Sequence, residues 1–180
     1  DALFKFITHE TTDTIRSASD SIYNPVDMSE AIKLINTKGN EKRYAIVGLP
    51  CFLKGVELAK KKMPRVKRRV LYTLGLTCGH LPNKFYTEYL AELSGIKREE
   101  LNEVNYRSKK NTNRASNFEF IAKSKNMRSG SKISFAEISD VWANGWFGFN
   151  ACDFCDDVFA ELASVSLMDA WLPAYESDTA

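Results

Sequence analysis

Four cysteines carry the chemistry available to this chain of 180 residues. Two form the pair Cys152-Asp153-Phe154-Cys155, and the others stand singly beside chain-bending residues, Cys51 after Pro50 and Cys78 before Gly79. A Cys-x-x-Cys turn bends back so that two thiolates converge on one point, and four soft thiolates suit an iron–sulfur cluster or a zinc ion. The reading adopted is that all four bind one centre. A redox dithiol fits less well, because that motif belongs near the start of a thioredoxin-like fold. Here the pair lies late in the chain, beside Asp153, Asp156 and Asp157, which raise thiol pKa values. Structural zinc usually takes its cysteines in two close pairs, unlike one pair and two distant singles. Taken singly, each cysteine also reads as an inert buried side chain.

The elements that must position these thiols follow a repeated pattern. Lys42 to Leu49 is a buried strand running into Pro50-Cys51, followed by Phe52, Leu53, Val56, Leu58 and Ala59 at helical spacing. Val70 to Leu76 is a second apolar strand, ending on Cys78, with a helix opening after Pro82-Asn83 through Phe85, Tyr89, Leu90 and Leu93. Continuous apolar strands alternating with helices predict a parallel sheet, whose ligands gather at the carboxyl ends of the strands. Upstream, Leu3 to Thr8 alternates as a short strand, and Asp27 with Glu30 forms the capping box of a helix starting at Met28. Downstream, Val104 to Arg107 reads as an edge strand and Lys109 to Asn117 as a polar loop. Phe118 to Ala122 pairs with Ile133 to Phe135 as a hairpin, and a helix runs from Phe135 to Trp142. Phe159 to Leu162 packs behind the cysteine turn, and Val165 to Trp171 is a last strand. Leu49, Phe52, Leu76, Phe149 and Phe154 would limit water around the thiols, and read equally as simple core packing.

Composition narrows the function classes. Hydrophobic residues are 44% and charged residues 27% of the chain, as in an ordinary soluble domain, and a formal net charge of +2 gives no case for nucleic acid. The run from Lys60-Lys61-Lys62 to Arg65, Lys67, Arg68 and Arg69 reads as a solvated helix end and loop. No apolar run approaches the roughly 20 residues that span a bilayer, no signal peptide is apparent, and a cytoplasmic location without membrane insertion is expected. With no indication of export, two disulfides are a minor reading. No phosphate-binding glycine motif and no hydrolytic triad is present, and the histidines are only His9 and His80. Gly48 and Gly79 allow close backbone approach to a ligand, and His80 either touches a cofactor or is a surface histidine at a helix start.

Five motifs occur in order: Gly48-Leu49-Pro50-Cys51, Cys78-Gly79, Cys152-Asp153-Phe154-Cys155-Asp156, Ala160-Glu161-Leu162-Ala163, and Met168-Asp169-Ala170-Trp171. From about Tyr44 to Trp171 the chain resembles the C-terminal domain of the coenzyme F420 hydrogenase/dehydrogenase beta-subunit family. That family shows Gly-Thr-Pro-Cys, Cys-Gly, Cys-x-x-Cys-x-Asp, Ala-Asp-Ile and Gly-Asp-x-Trp. Leu49 stands where Thr is usual, Ser164 where Asp is usual, and Met168 where Gly is usual. The resemblance implies a four-iron four-sulfur (4Fe-4S) cluster on Cys51, Cys78, Cys152 and Cys155, together with FAD. It further implies electron flow between a redox partner subunit or ferredoxin-like donor and a small-molecule carrier such as coenzyme F420.

The expected fold is α/β, a small mixed sheet flanked by helices with a Cys-rich cluster-binding C-terminal segment. Residues 1–180 are read as a single domain, the C-terminal portion of a longer beta-subunit-like protein. Gly48, Gly79, His80 and Asp169 are candidates for the flavin surroundings, and Arg107 for an anionic carrier or phosphate. The rival readings are a zinc or cluster module that turns nothing over, and a metal-free paralogue whose cysteines merely pack.

Overall fold

Apolar strands ending in Pro or Gly turns build the half of the molecule that carries the cysteines. The structure, a computed structural model, describes residues 3–109, 117–169 and 172–173. Strand β1 (Tyr44–Gly48) is followed by α3 (Pro50–Lys62), α4 (Pro64–Arg69) and β2 (Val70–Leu76); two short helices, α1 (Thr12–Arg16) and α2 (Ser29–Asn36), precede it. Pro50 and Pro64 each open a helix, where a missing N–H costs nothing and the fixed φ suits the first turn. β1 and β2 pair in parallel, and the last strand, β6 (Val165–Leu167), pairs in parallel with the other side of β2. Ile46, Leu53, Val56, Val66 and Val70 form the core between this sheet and its helices.

The expected single mixed sheet divides into two. Between β2 and β6 the chain forms α5 (Lys84–Leu93), β3 (Leu101–Lys109), β4 (Phe118–Ser124), β5 (Ser131–Ser134), α6 (Phe135–Ala143) and the one-turn α7 (Asn150–Asp153). β3, β4 and β5 make a separate antiparallel sheet. The cause is visible in β4, where Phe118, Phe120 and Ala122 face inward and Glu119, Ile121 and Lys123 face the other way. That alternation fits a sheet packed on one face, not a central parallel strand. Its inner face meets α5 and α6 through Tyr86, Leu90, Tyr106, Phe120 and Ile138.

Several local expectations change for identifiable reasons. Leu3 to Thr8 joins neither sheet, and its alternation serves an irregular strap: Phe4 packs on Tyr106 and Phe6 on Phe52, with ring centres 5.9 and 5.6 Å apart. Helix α2 begins at Ser29, Asp27 accepts from the Ser29 N–H at 2.8 Å, and Glu30 pairs with Lys33, so no capping box forms there. In the basic run Arg69 is only 5% exposed. Its guanidinium donates to the carbonyls of Ile35 (2.6 Å) and Thr37 (2.8 Å), satisfying acceptors that the end of α2 leaves without helical partners. The Lys109–Asn117 loop falls mostly, and the Ala170-Trp171 end of the last strand wholly, outside the described residues.

The close approach that closes the parallel sheet depends on Gly75. A Cβ there would lie 2.3 Å from Cβ of Ala160 and 3.0 Å from Cβ of Ala163. Small residues thus pack behind the cysteine turn, while the expected Phe159 and Leu162 are exposed. One face of the sheet is open as well: Val47, Tyr72 (61% exposed), Val165 and Leu167 are all solvent-exposed. Gly75→Ala is expected to destabilise the fold by about 1–3 kcal/mol through overpacking, seen as a lower denaturation midpoint. Gly79→Ala, where no atom lies within 4 Å of the added carbon, is expected to leave the midpoint close to that of the unaltered protein.

Candidate metal and cofactor site

Parallel pairing sends the ends of β1, β2 and β6 to one edge of the sheet, and the single cysteines follow directly. Cys51 is the second residue of α3, and Cys78 lies two residues beyond β2. Backbone bonds fix this edge: Thr77 N–H donates to Leu167 C=O at 2.9 Å, and Cys78 N–H to Val158 C=O at 3.0 Å. The segment carrying the cysteine pair is laced to the loop after β2 by Asn83 N–H donating to Phe147 C=O at 2.7 Å and by a Pro82–Gly148 bridge. Cys152 Sγ lies 4.0 Å from Leu81 C=O, and Cys155 N–H donates to Cys152 C=O at 3.2 Å across the turn. All four cysteines are free thiols, with Cys51 and Cys155 exposed and Cys78 and Cys152 half-buried.

The thiols act on one another electrostatically. Cys78 is pushed up to about 11, first by burial and then by the neighbouring Cys51, Cys152 and Cys155 thiolates. Burial also raises Cys51, opposed by backbone N–H groups at the start of α3 and reinforced by Cys155 and Cys152. Clustered thiolates repel, and a cationic metal centre relieves that repulsion. Among the described residues no group of three or more His, Cys, Asp or Glu is found that could hold a metal ion. A lone zinc, about 2.3 Å from each sulfur, would draw its thiolates to within roughly 3.8 Å of one another. A four-iron cluster gives each thiolate its own iron and so accepts a wider spacing. The four cysteine sulfurs fit a cluster in donor type.

The setting is more open than the neighbouring apolar residues suggest. Phe154, between the paired cysteines, is 88% exposed, and Leu76 and Phe149 are exposed too, so they do not screen the thiols from water. Asp157, singled out in the sequence only as an acid near the thiols, has a buried Oδ1 without a hydrogen-bond partner among the described residues. An unpaired buried acceptor of that kind calls for a partner beyond the side chains around it. Ser164, at the family's Asp position, donates its N–H to Oγ1 of Thr73 at 3.0 Å and accepts from Thr73 N–H at 3.1 Å. Its work is to hold β6 beside β2. Met168 is 66% exposed.

The remaining candidates separate into two groups. A Cβ on Gly48 would meet Leu53 and Phe52 at 3.4 and 3.5 Å, so this glycine serves the packing of α3 on β1, whereas Gly79 borders open space. Arg107 and Asp169 come together, with Nη1 3.4 Å from Oδ2. Both line a pocket of about 260 Å³ walled by Tyr23, Tyr86, Tyr106 and Trp142. His80 packs on Trp142 with ring centres 4.3 Å apart and planes tilted by 37°, and burial lowers its pKa against the opposing pull of Asp153. The sequence gives no sign of this pocket, because each of its aromatic residues reads singly as core.

Burial also raises the phenols of Tyr86 and Tyr106 above their ordinary value, Tyr106 despite a shared hydrogen bond with Thr87. A raised acid favours the neutral form in the folded state. Its contribution is therefore complete below the unfolded value of about 10 and is lost as pH climbs beyond it toward the folded values. Alkaline denaturation should show stability falling from about pH 10 upward. In a tyrosinate absorbance titration, these two residues should ionise after the exposed tyrosines, whereas simultaneous ionisation would contradict their burial.

No curated protein matches the chain. A solved structure of the F420-reducing nickel–iron hydrogenase complex from Methanosarcina barkeri contains a chain of similar fold, with TM-score 0.61 and 15% identity. The match covers 92% of this chain and 53% of that one, so this sequence spans about half the length of its structural relative. The family model describing the C terminus of the coenzyme F420 hydrogenase/dehydrogenase beta subunit matches residues 41–180. With its strand-end cysteines and its late Cys-x-x-Cys pair both inside that span, the chain belongs to the family defined by the C terminus of the coenzyme F420 hydrogenase/dehydrogenase beta subunit.

Proposed function

We propose that this chain is the cluster-bearing part of a flavin-dependent electron-transfer oxidoreductase, with Cys51, Cys78, Cys152 and Cys155 holding one 4Fe-4S cluster. The observation that carries the reading is that Cys51 and Cys78 stand at the carboxyl ends of neighbouring strands, while backbone bonds tie the segment that leads to Cys152 and Cys155 to the loop after β2. Four soft donors supplied as one close pair and two distant singles favour a cluster over structural zinc, which usually takes two close pairs. When bound, the cluster and FAD would link one-electron delivery to hydride transfer toward a diffusible carrier such as coenzyme F420.

The protein's own part is placement. The strand ends fix Cys51 and Cys78, and the backbone ties from Phe147, Gly148 and Val158 hold the segments bearing Cys152 and Cys155 against the loop after β2. The exposure of Phe154 leaves the paired cysteines open to a redox partner subunit or a ferredoxin-like donor, and a cytoplasmic setting suits that exchange. No helix among the described residues is long and apolar enough to cross a membrane.

Anaerobic loading with iron and sulfide tests the reading. The expected product absorbs broadly in the visible and holds about four irons and four sulfides per chain. Cys78→Ser and Cys152→Ser should each return bound iron to background. Stoichiometric zinc without cluster formation would point instead to a structural metal module, and four freely titrating thiols after loading would overturn the site.

A further inference from the structure

Among the described residues the aromatic pocket holds the ion pair of Arg107 and Asp169, one on the antiparallel sheet and the other just beyond a strand of the parallel one. Among the described residues lining it, Arg107 is the only cation and Asp169 the only anion. Arg107 belongs to β3 of the antiparallel sheet, and Asp169 stands two residues beyond β6 of the parallel one. The guanidinium is held at both faces of its environment. Its Nη1 lies 3.4 Å from Asp169 Oδ2, and its carbon sits 5.0 Å from the centre of the Phe118 ring. The Arg107 side chain is largely buried, while that of Asp169 is 62% exposed. At about 260 Å³ the cavity is smaller than the roughly 300–1,000 Å³ typical of drug-sized ligands, so it suits one flat ring system with any tail outside.

We propose that Arg107, held by Asp169, is the residue through which this pocket favours the reduced, negatively charged form of a flavin-type ring. The inference rests on the flavin reading given above and assigns that ring to a place. Two-electron reduction with uptake of one proton leaves the ring one negative charge richer than its oxidised form. A guanidinium in a partly buried, aromatic setting stabilises that added charge more than it would in water. The Asp169 carboxylate does the reverse. It keeps Arg107 oriented while moderating its positive field. Tyr23, Tyr86 and Trp142 line the pocket without a formal charge and so do not discriminate between the redox forms.

Arg107 and Asp169 therefore act with opposite signs, which separates this role from a structural clasp. The test measures anaerobic binding of oxidised and dithionite-reduced FAD to the full chain, and in a second arm of the free deazaflavin carrier. Both share the fused ring and differ in origin. In Arg107→Met the preference for the reduced ring should fall about tenfold, equal to a midpoint about 30 mV lower for a two-electron couple. In Asp169→Asn that preference should rise a few-fold instead. The same pair of shifts with FAD alone assigns the pocket to FAD's ring, and with deazaflavin alone to the carrier's. If Arg107→Met does not fold, Asp169→Asn at its exposed carboxylate still reports the sign. Equal weakening of both redox forms by both variants would overturn the role of Arg107 and leave flavin binding standing. Failure of the unaltered protein to bind either ring would overturn the flavin reading itself.

Discussion

The parallel docking of Val165–Leu167 against Val70–Leu76 is the contact on which the cysteine site depends. It pairs Leu74 with Val165, Gly75 with Ser166 and Leu76 with Leu167, after an excursion through a whole second sheet. Closing so long a loop carries an entropic cost that three paired residues do not offset alone. The reciprocal bonds between Thr73 and Ser164, and the seat of Ala160 against Gly75, add the specificity that fixes this register. Shift the strand and the returning segment would no longer present Val158 to Cys78. The cysteine pair would lose its place with it.

A division of labour follows from the two sheets. The parallel one gathers thiols at its carboxyl edge, as open parallel sheets gather ligands generally. The antiparallel one, backed by α5 and α6, builds the aromatic pocket. His80, next to Gly79 in the loop after β2, packs on Trp142 of α6, and Asp169 reaches Arg107 of β3. These two contacts connect the thiol edge to the pocket, so a chain with a cluster in one half and a ring in the other would hold them at a fixed separation. Fixed placement is what a protein contributes when cofactors carry the chemistry.

Much of this was legible in residue order. β1, β2, α3 and α5 follow from apolar runs punctuated by Pro and Gly, and the five ordered motifs lead to the family. What the sequence concealed depends on contacts between distant residues. Gly48 and Gly79 attract notice near cysteines, yet it is Gly75 that a segment far along the chain crowds. Arg69 looks like one more solvated cation until the end of α2 supplies carbonyls for it. The separation into two sheets turns on which neighbours β4 finds, and periodicity does not encode partners. The pocket is hidden for the same reason: Tyr23, Tyr86, Tyr106 and Trp142 belong to different elements and meet only in the folded chain.

The central claim is that four cysteines form one centre. The most direct measurement is alkylation of each cysteine, read residue by residue by mass spectrometry, before and after anaerobic loading with iron and sulfide. Cys51, Cys78, Cys152 and Cys155 are expected to react beforehand and to become protected together. Protection of Cys152 and Cys155 alone, with Cys51 and Cys78 still reactive, would contradict a single centre.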